Sequence, residues 1–152
     1  MSFVSLCPPD VSPKTRIIAV CGVSDLNDEA SPKNDGWFLS DFYLFHHLFS
    51  PLNVPTSTQI WLTCEEPERL VEKYTEYLHG DPKNERKVVL DRDCLPRVAQ
   101  AGNLRVVPRA DLLEGLLSTL EEQSRLATDF DEHLLVLIFG HGDLAQVILT
   151  ES

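Results

Sequence analysis

The run Leu134-Leu135-Val136-Leu137-Ile138-Phe139 constrains this chain more than any other segment. It is too short to cross a membrane, which takes about 18 or more apolar residues, and it reads as a strand buried in a layered core. It leads directly into Gly140-His141-Gly142-Asp143. A second apolar run, Arg16-Ile17-Ile18-Ala19-Val20-Cys21, ends at Gly22 and has the pattern of a strand covered on both faces, as in parallel sheets. Thr58 to Cys64 (TQIWLTC) gives another strand.

Helical patterns separate these runs. Residues 37–49 (WFLSDFYLFHHLF) crowd aromatic side chains around most of a helix, with Asn34 or Asp35 able to cap its start and Ser50-Pro51 stopping it. Glu65-Glu66-Pro67 opens a second helix, whose stripe Leu70, Val71, Tyr74, Tyr77 and Leu78 is ended by His79-Gly80-Asp81-Pro82. Lys87 to Leu90 and Leu104 to Val107 are two short β-rich runs, expected to form an excursion hairpin across a loop with Pro96 and Gly102. Pro108 to about Leu126 carries leucines at helical spacing, and residues 128–132 make an acidic turn. The alternation predicts an α/β three-layer sandwich with a mainly parallel sheet. Residues 1–15, with Pro8, Pro9 and Pro13, read as an irregular arm, and residues 16–152 as one domain.

The chain's 152 residues suit a single core, and 43% apolar with 24% charged residues is a globular balance. Thirteen Lys and Arg against twenty-four Asp and Glu leave a net charge of -11, which repels a phosphate backbone and argues against nucleic acid as a partner. No apolar stretch suits a membrane. The N-terminal residues lack a basic segment followed by a long apolar one, so a cytoplasmic location with reduced thiols is expected. Cys7, Cys21, Cys64 and Cys94 include no C-x-x-C pair, and no glycine-rich phosphate loop follows the first strand; neither metal nor cofactor is expected.

Loops beyond the carboxyl ends of parallel strands gather functional groups. Cys21, Cys64 and His141 fall at three such ends. His141 lies between two glycines, which let the backbone turn sharply and hold an imidazole at the sheet edge. A neutral imidazole is a good general base for a thiol or hydroxyl, although a Gly-His-Gly turn with no chemistry has the same pattern. The first loop carries Asp25, Asp28, Glu29 and Asp35, which read as a solvated loop or as part of a pocket for a basic substrate. His46 and His47 point about 100° apart on their helix and form no ligand pair. His133 and His141 sit at opposite ends of one strand, too far apart to share a metal.

The segment Leu134 to Gly142 (LLVLIFGHG), following an alternating α/β pattern, resembles the caspase-like clan of cysteine peptidases, which includes caspases, metacaspases and legumains. It is most similar to the Gly-His-Gly form of metacaspases; Asp143 matches the acidic residue that often follows in caspases, and Gly22-Val23-Ser24-Asp25 fits the clan's opening. The resemblance spans roughly residues 16–143 in pattern. It implies His141 as general base, Gly142 as oxyanion donor, and Asp25 and Asp143 near the substrate. It also implies a nucleophilic Cys on a later strand, and no cysteine follows His141. The expectation is therefore the first half of a caspase-like fold, truncated after its His-bearing strand and silent alone, that binds a protein or peptide or self-associates through an exposed sheet edge. Two active alternatives are a cysteine endopeptidase whose Cys comes from another chain or from sequence further downstream, and a dyad of His141 with Cys21 on the neighbouring strand. A small-molecule enzyme unrelated to peptidases is the third class.

Overall fold

A computed structural model describes residues 12–22, 30–49, 55–143 and 146–148. Strand β1 (Thr15–Cys21) leads through a loop to helix α1 (Gly36–Phe49), and a 3-10 turn precedes β2 (Gln59–Thr63). Then come α2 (Pro67–Tyr74), β3 (Tyr77–His79), β4 (Lys87–Leu90), α3 (Leu95–Ala101) and β5 (Leu104–Val106). Helix α4 (Leu112–Phe130) connects to β6 (His133–Phe139), followed by β7 (His141–Asp143) and β8 (Gln146–Ile148). None of the described helices is long and apolar enough to cross a membrane.

Four strands form one parallel sheet in the order β5-β2-β1-β6. Side chains alternate across it. Ile17, Ala19, Cys21 and Trp61 pack with Leu39, Phe42, Tyr43 and Phe49 of α1, while Ile18, Val20, Ile60 and Leu62 pack with Leu112 and Leu116 of α4. Helices thus cover both faces, as a parallel sheet requires. Chain progress through the sheet reverses at β1: β2 lies on one side of it and β6, reached through α4, on the other. Right-handed crossovers place the helices of two opposed directions on opposite faces, which accounts for α1 and α4.

The α/β class and the parallel sheet agree with the sequence; three local expectations do not. Helix α2 stops at Tyr74, because Thr75 adopts φ 73 and breaks the ladder, so Tyr77 and Leu78 lie on β3 rather than on a helical stripe. The runs 87–90 and 104–107 do not pair with each other: β4 pairs antiparallel with β3, whereas β5 joins the main sheet beside β2. Between them Pro96 sits in the first turn of α3, and Gly102, at φ 66, closes that helix in the left-handed conformation glycine adopts without a Cβ penalty. Finally, α4 runs on through the expected turn to Phe130.

Strand β6 holds the edge position expected of the His141-bearing strand, but it is not the buried strand its composition suggested. Every residue of β1 except Arg16 is buried and all of β2 is, yet no residue of β6 is fully buried. The most hydrophobic strand is an edge strand; β1 is its one partner among the described residues. Residues 146–148 pair with β7 as a separate two-stranded sheet, not with the outer edge of β6.

Candidate functional site

The reversal of chain direction at β1 makes the carboxyl ends of β1 and β6 the place where loops diverge to opposite faces and leave a crevice. The two strands run in register from Thr15 opposite His133 to Cys21 opposite Phe139, and the Gly22 N–H donates to the Phe139 carbonyl at 3.0 Å. This is the strand adjacency that placed Cys21 near His141. Gly140 then turns the backbone into β7, whose first residue is His141.

His141 makes its bond elsewhere. Its Nε2 lies 2.8 Å from Asp35 Oδ1, a pair 106 residues apart in sequence, and the Phe38 ring meets the imidazole edge to face at 4.9 Å. An ionised carboxylate only accepts, so Nε2 carries the proton and Nδ1 keeps the lone pair in the neutral ring. The imidazole is 46% exposed and the Asp35 side chain 10%. Asp35 is therefore an orienting group rather than part of a solvated loop. It is held there by local backbone geometry: the Asn34 and Gly36 N–H groups both donate to the Ser31 carbonyl, at 2.9 Å each, folding residues 31–36 into a tight turn at the start of α1. A Cβ on Gly36 would lie 2.4 Å from the carbonyl oxygens of Ala30 and Ser31, so this close approach requires glycine.

Cys21 does not join this pair. Its Sγ lies fully buried on the α1 face, its nearest polar partner the Gly22 carbonyl at 3.9 Å. Burial pushes the thiol well up, and nearby Cys64, Asp41, Asp35 and Glu65 raise it further. A thiol so placed stays protonated and packs as a small hydrophobe. Cys64 is half-buried and packs on the opposite, α4 face. Cys94, at the start of α3, has a thiol raised by burial and by its hydrogen bond to Asp91. Cys7 and Asp25 lie outside the described residues; for Gly142 and Asp143 the description covers the β7 backbone only.

Two further histidines have structural partners. His46 is buried against Trp61, and its Nε2 bonds Asn103 Oδ1 at 2.8 Å; His79 lies on β3 and pairs with Asp41 at 3.0 Å. No group of three or more metal-ligating side chains occurs among the described residues. Two clefts of about 180 and 190 Å3 flank α2, and neither is lined by His141, Asp35 or Cys21. Both fall below the ~300–1,000 Å3 usual for small-molecule sites.

The site thus consists of an oriented imidazole at the end of an apolar strand whose outer edge is unpaired among the described residues. Sequence reasoning found the imidazole but missed its partner; the only available signal was the placement of Asp35 at the start of the aromatic helix. Comparison with protein-family models, with curated proteins and with solved structures finds no match to this chain.

Proposed function

We propose that this chain is a caspase-like, peptidase-like module, catalytically silent alone, that acts through protein binding at the exposed edge of its sheet. The observation that carries the reading is the contrast at the carboxyl end of β1 and β6: His141 is oriented by Asp35, as a general base needs, while Cys21, the thiol nearest in strand order, is buried and protonated. A base without a reachable nucleophile performs no acyl transfer. The apolar, half-covered β6 beside it offers a binding surface instead.

The Asp35–His141 pair favours a second reading, an endopeptidase whose cysteine is supplied in trans and whose thiol the free Nδ1 would deprotonate. A thiol-reactive peptidyl probe separates the two. Silence predicts no His141-dependent labelling of the purified chain; labelling that disappears in His141→Ala would overturn it. Labelling that appears only when a second polypeptide is added, and again needs His141, would establish the endopeptidase reading.

A further inference from the structure

Residues 95–106, helix α3 with strand β5, are thinly anchored. Val98 is the one buried residue of α3, and no residue of β5 is fully buried. Gly102, at φ 66, joins the two elements in a conformation that glycine leaves and re-enters without a Cβ penalty. A segment with so little buried apolar surface opens locally at less cost than unfolding the whole molecule.

Asn103 ties this segment to the core twice. Its backbone carbonyl accepts the Trp61 N–H at 2.9 Å, and its side-chain Oδ1 lies 2.8 Å from Nε2 of His46. His46 is 1% exposed and meets the Trp61 ring edge to face at 5.1 Å. An amide oxygen only accepts, so Nε2 carries the proton and Nδ1 keeps the lone pair. That Nδ1 is buried as well and has no hydrogen-bond partner among the described residues. A second proton there would create an N–H without an acceptor and a charge shielded from water.

The surrounding groups oppose that proton. Burial lowers the His46 pKa, the Arg97 guanidinium on α3 lowers it further, and the Asn103 bond works against both. On α1 itself Tyr43 packs edge to face on His46, and the neighbouring His47 feels Arg97 and, from β4, Lys87. Asp91 and Arg97 both act on the Cys94 thiol, and the Asp91 Oδ1 accepts the Cys94 N–H at 2.9 Å.

We propose that His46 and Asn103 form an acid-sensitive latch: a second proton on His46 releases residues 95–106 from β2 while the rest of the sheet stays folded. Release lets water reach Nδ1, which a protonated ring requires. It also uncovers the apolar walls of the cleft of about 190 Å3 between α2 and this segment, among them Pro67, Val98, Leu104 and Val106. The opened segment takes up the proton near pH 6.5, the closed one only at lower pH. Opening is therefore independent of pH above that value and grows by up to about tenfold per unit below it. The latch stands apart from either reading of His141.

Amide hydrogen exchange of the full chain, followed by NMR at about pH 7 and pH 5.5 and corrected for intrinsic rates, reads the opening directly. The Trp61 and Val107 amides donate to Asn103 and Thr63 across the β2–β5 ladder, at 2.9 Å each. They should lose protection by about two- to eightfold at the lower pH, while the Ile18 and Val20 amides of β1 keep theirs. A parallel loss along β1 would mean that the proton unfolds the whole molecule, and overturns the latch. So does a change of less than about twofold at Trp61 and Val107. His46→Gln, whose amide N–H can still donate to Asn103 but does not titrate, should abolish the pH dependence. The same loss in that variant would assign it to another group and overturn the proposal. Should the variant fail to fold, the comparison of Trp61 and Val107 with β1 in the parent chain still decides.

Discussion

Replacing Gly36 with alanine tests whether the tight turn at the start of α1 holds Asp35 in place. The new methyl would meet the Ala30 and Ser31 carbonyl oxygens at 2.4 Å and the Ser31 carbonyl carbon at 2.6 Å, all of them backbone atoms that no rotamer change can move. Relief requires the turn to open by about 1 Å, since ordinary van der Waals contact begins near ~3.5 Å. Opening breaks the Gly36 and Asn34 bonds to Ser31 and strains the 2.6 Å bond from the Tyr77 hydroxyl to the Ala30 carbonyl. At about 1 kcal/mol per bond lost, less up to ~1 kcal/mol recovered from alanine's better helix propensity, the net cost is about 1–3 kcal/mol. For a chain of this size that lowers Tm by roughly 2–12 °C. Urea unfolding followed by tryptophan fluorescence measures the cost, and the NMR signals of the His141 ring report the loss of its carboxylate. A variant within ~0.5 kcal/mol of the parent, or one destabilised with an unmoved His141 signal, would refute the role given to this turn.

Thr75 offers the converse change, since a β-branched residue held at φ 73 on an exposed corner is strained; Thr75→Gly should raise stability by about 1 kcal/mol in the same urea assay. Burial lowers the His46 pKa, an effect that Arg97 reinforces and the Asn103 bond opposes, so the unfolded chain takes up a proton there that the folded chain refuses. Stability from this group is full above the unfolded value of about 6.5 and falls as pH drops through that value toward the lower folded one. His46→Gln should flatten the slope of stability between pH 7.5 and 5, and an unchanged slope would discard the idea. Asp35→Ala should cost only about 0.5–1 kcal/mol, because its partner is half-exposed, while releasing the His141 ring to more than one rotamer in NMR.

Strands β1 and β2 were legible because a strand covered on both faces must be apolar throughout, and Ile17 to Cys21 and Ile60 to Leu62 are. The same rule made β6 look buried, although the absence of a later strand had already pointed to an edge. An apolar run does not reveal whether neighbours flank it on both sides, and Leu134 to Phe139 lie at an edge. Tyr77 kept helical spacing from Leu70 and Tyr74 by coincidence: it is buried as a strand residue whose hydroxyl reaches Ala30, and the chain left the helix at Thr75. Pairing of β5 with β2 depends on a register some forty residues apart in sequence that no local pattern encodes. Asp35 was hidden for the same reason, since its carboxylate finds its imidazole only after the whole sheet has formed.

The in-register pairing of β1 with β6 has a consequence for how the molecule is made. β1 emerges before the other described strands during synthesis, but the strand that completes its ladder, from Thr15 opposite His133 to Cys21 opposite Phe139, is separated from it by more than a hundred residues. Such non-local closure slows folding, because loop entropy is lost before any contact compensates it. Until β6 arrives, one side of Ile17 to Cys21 remains an open ladder in the nascent chain. That interval, rather than the finished molecule, is when this sequence is most exposed to aggregation and to chaperone capture.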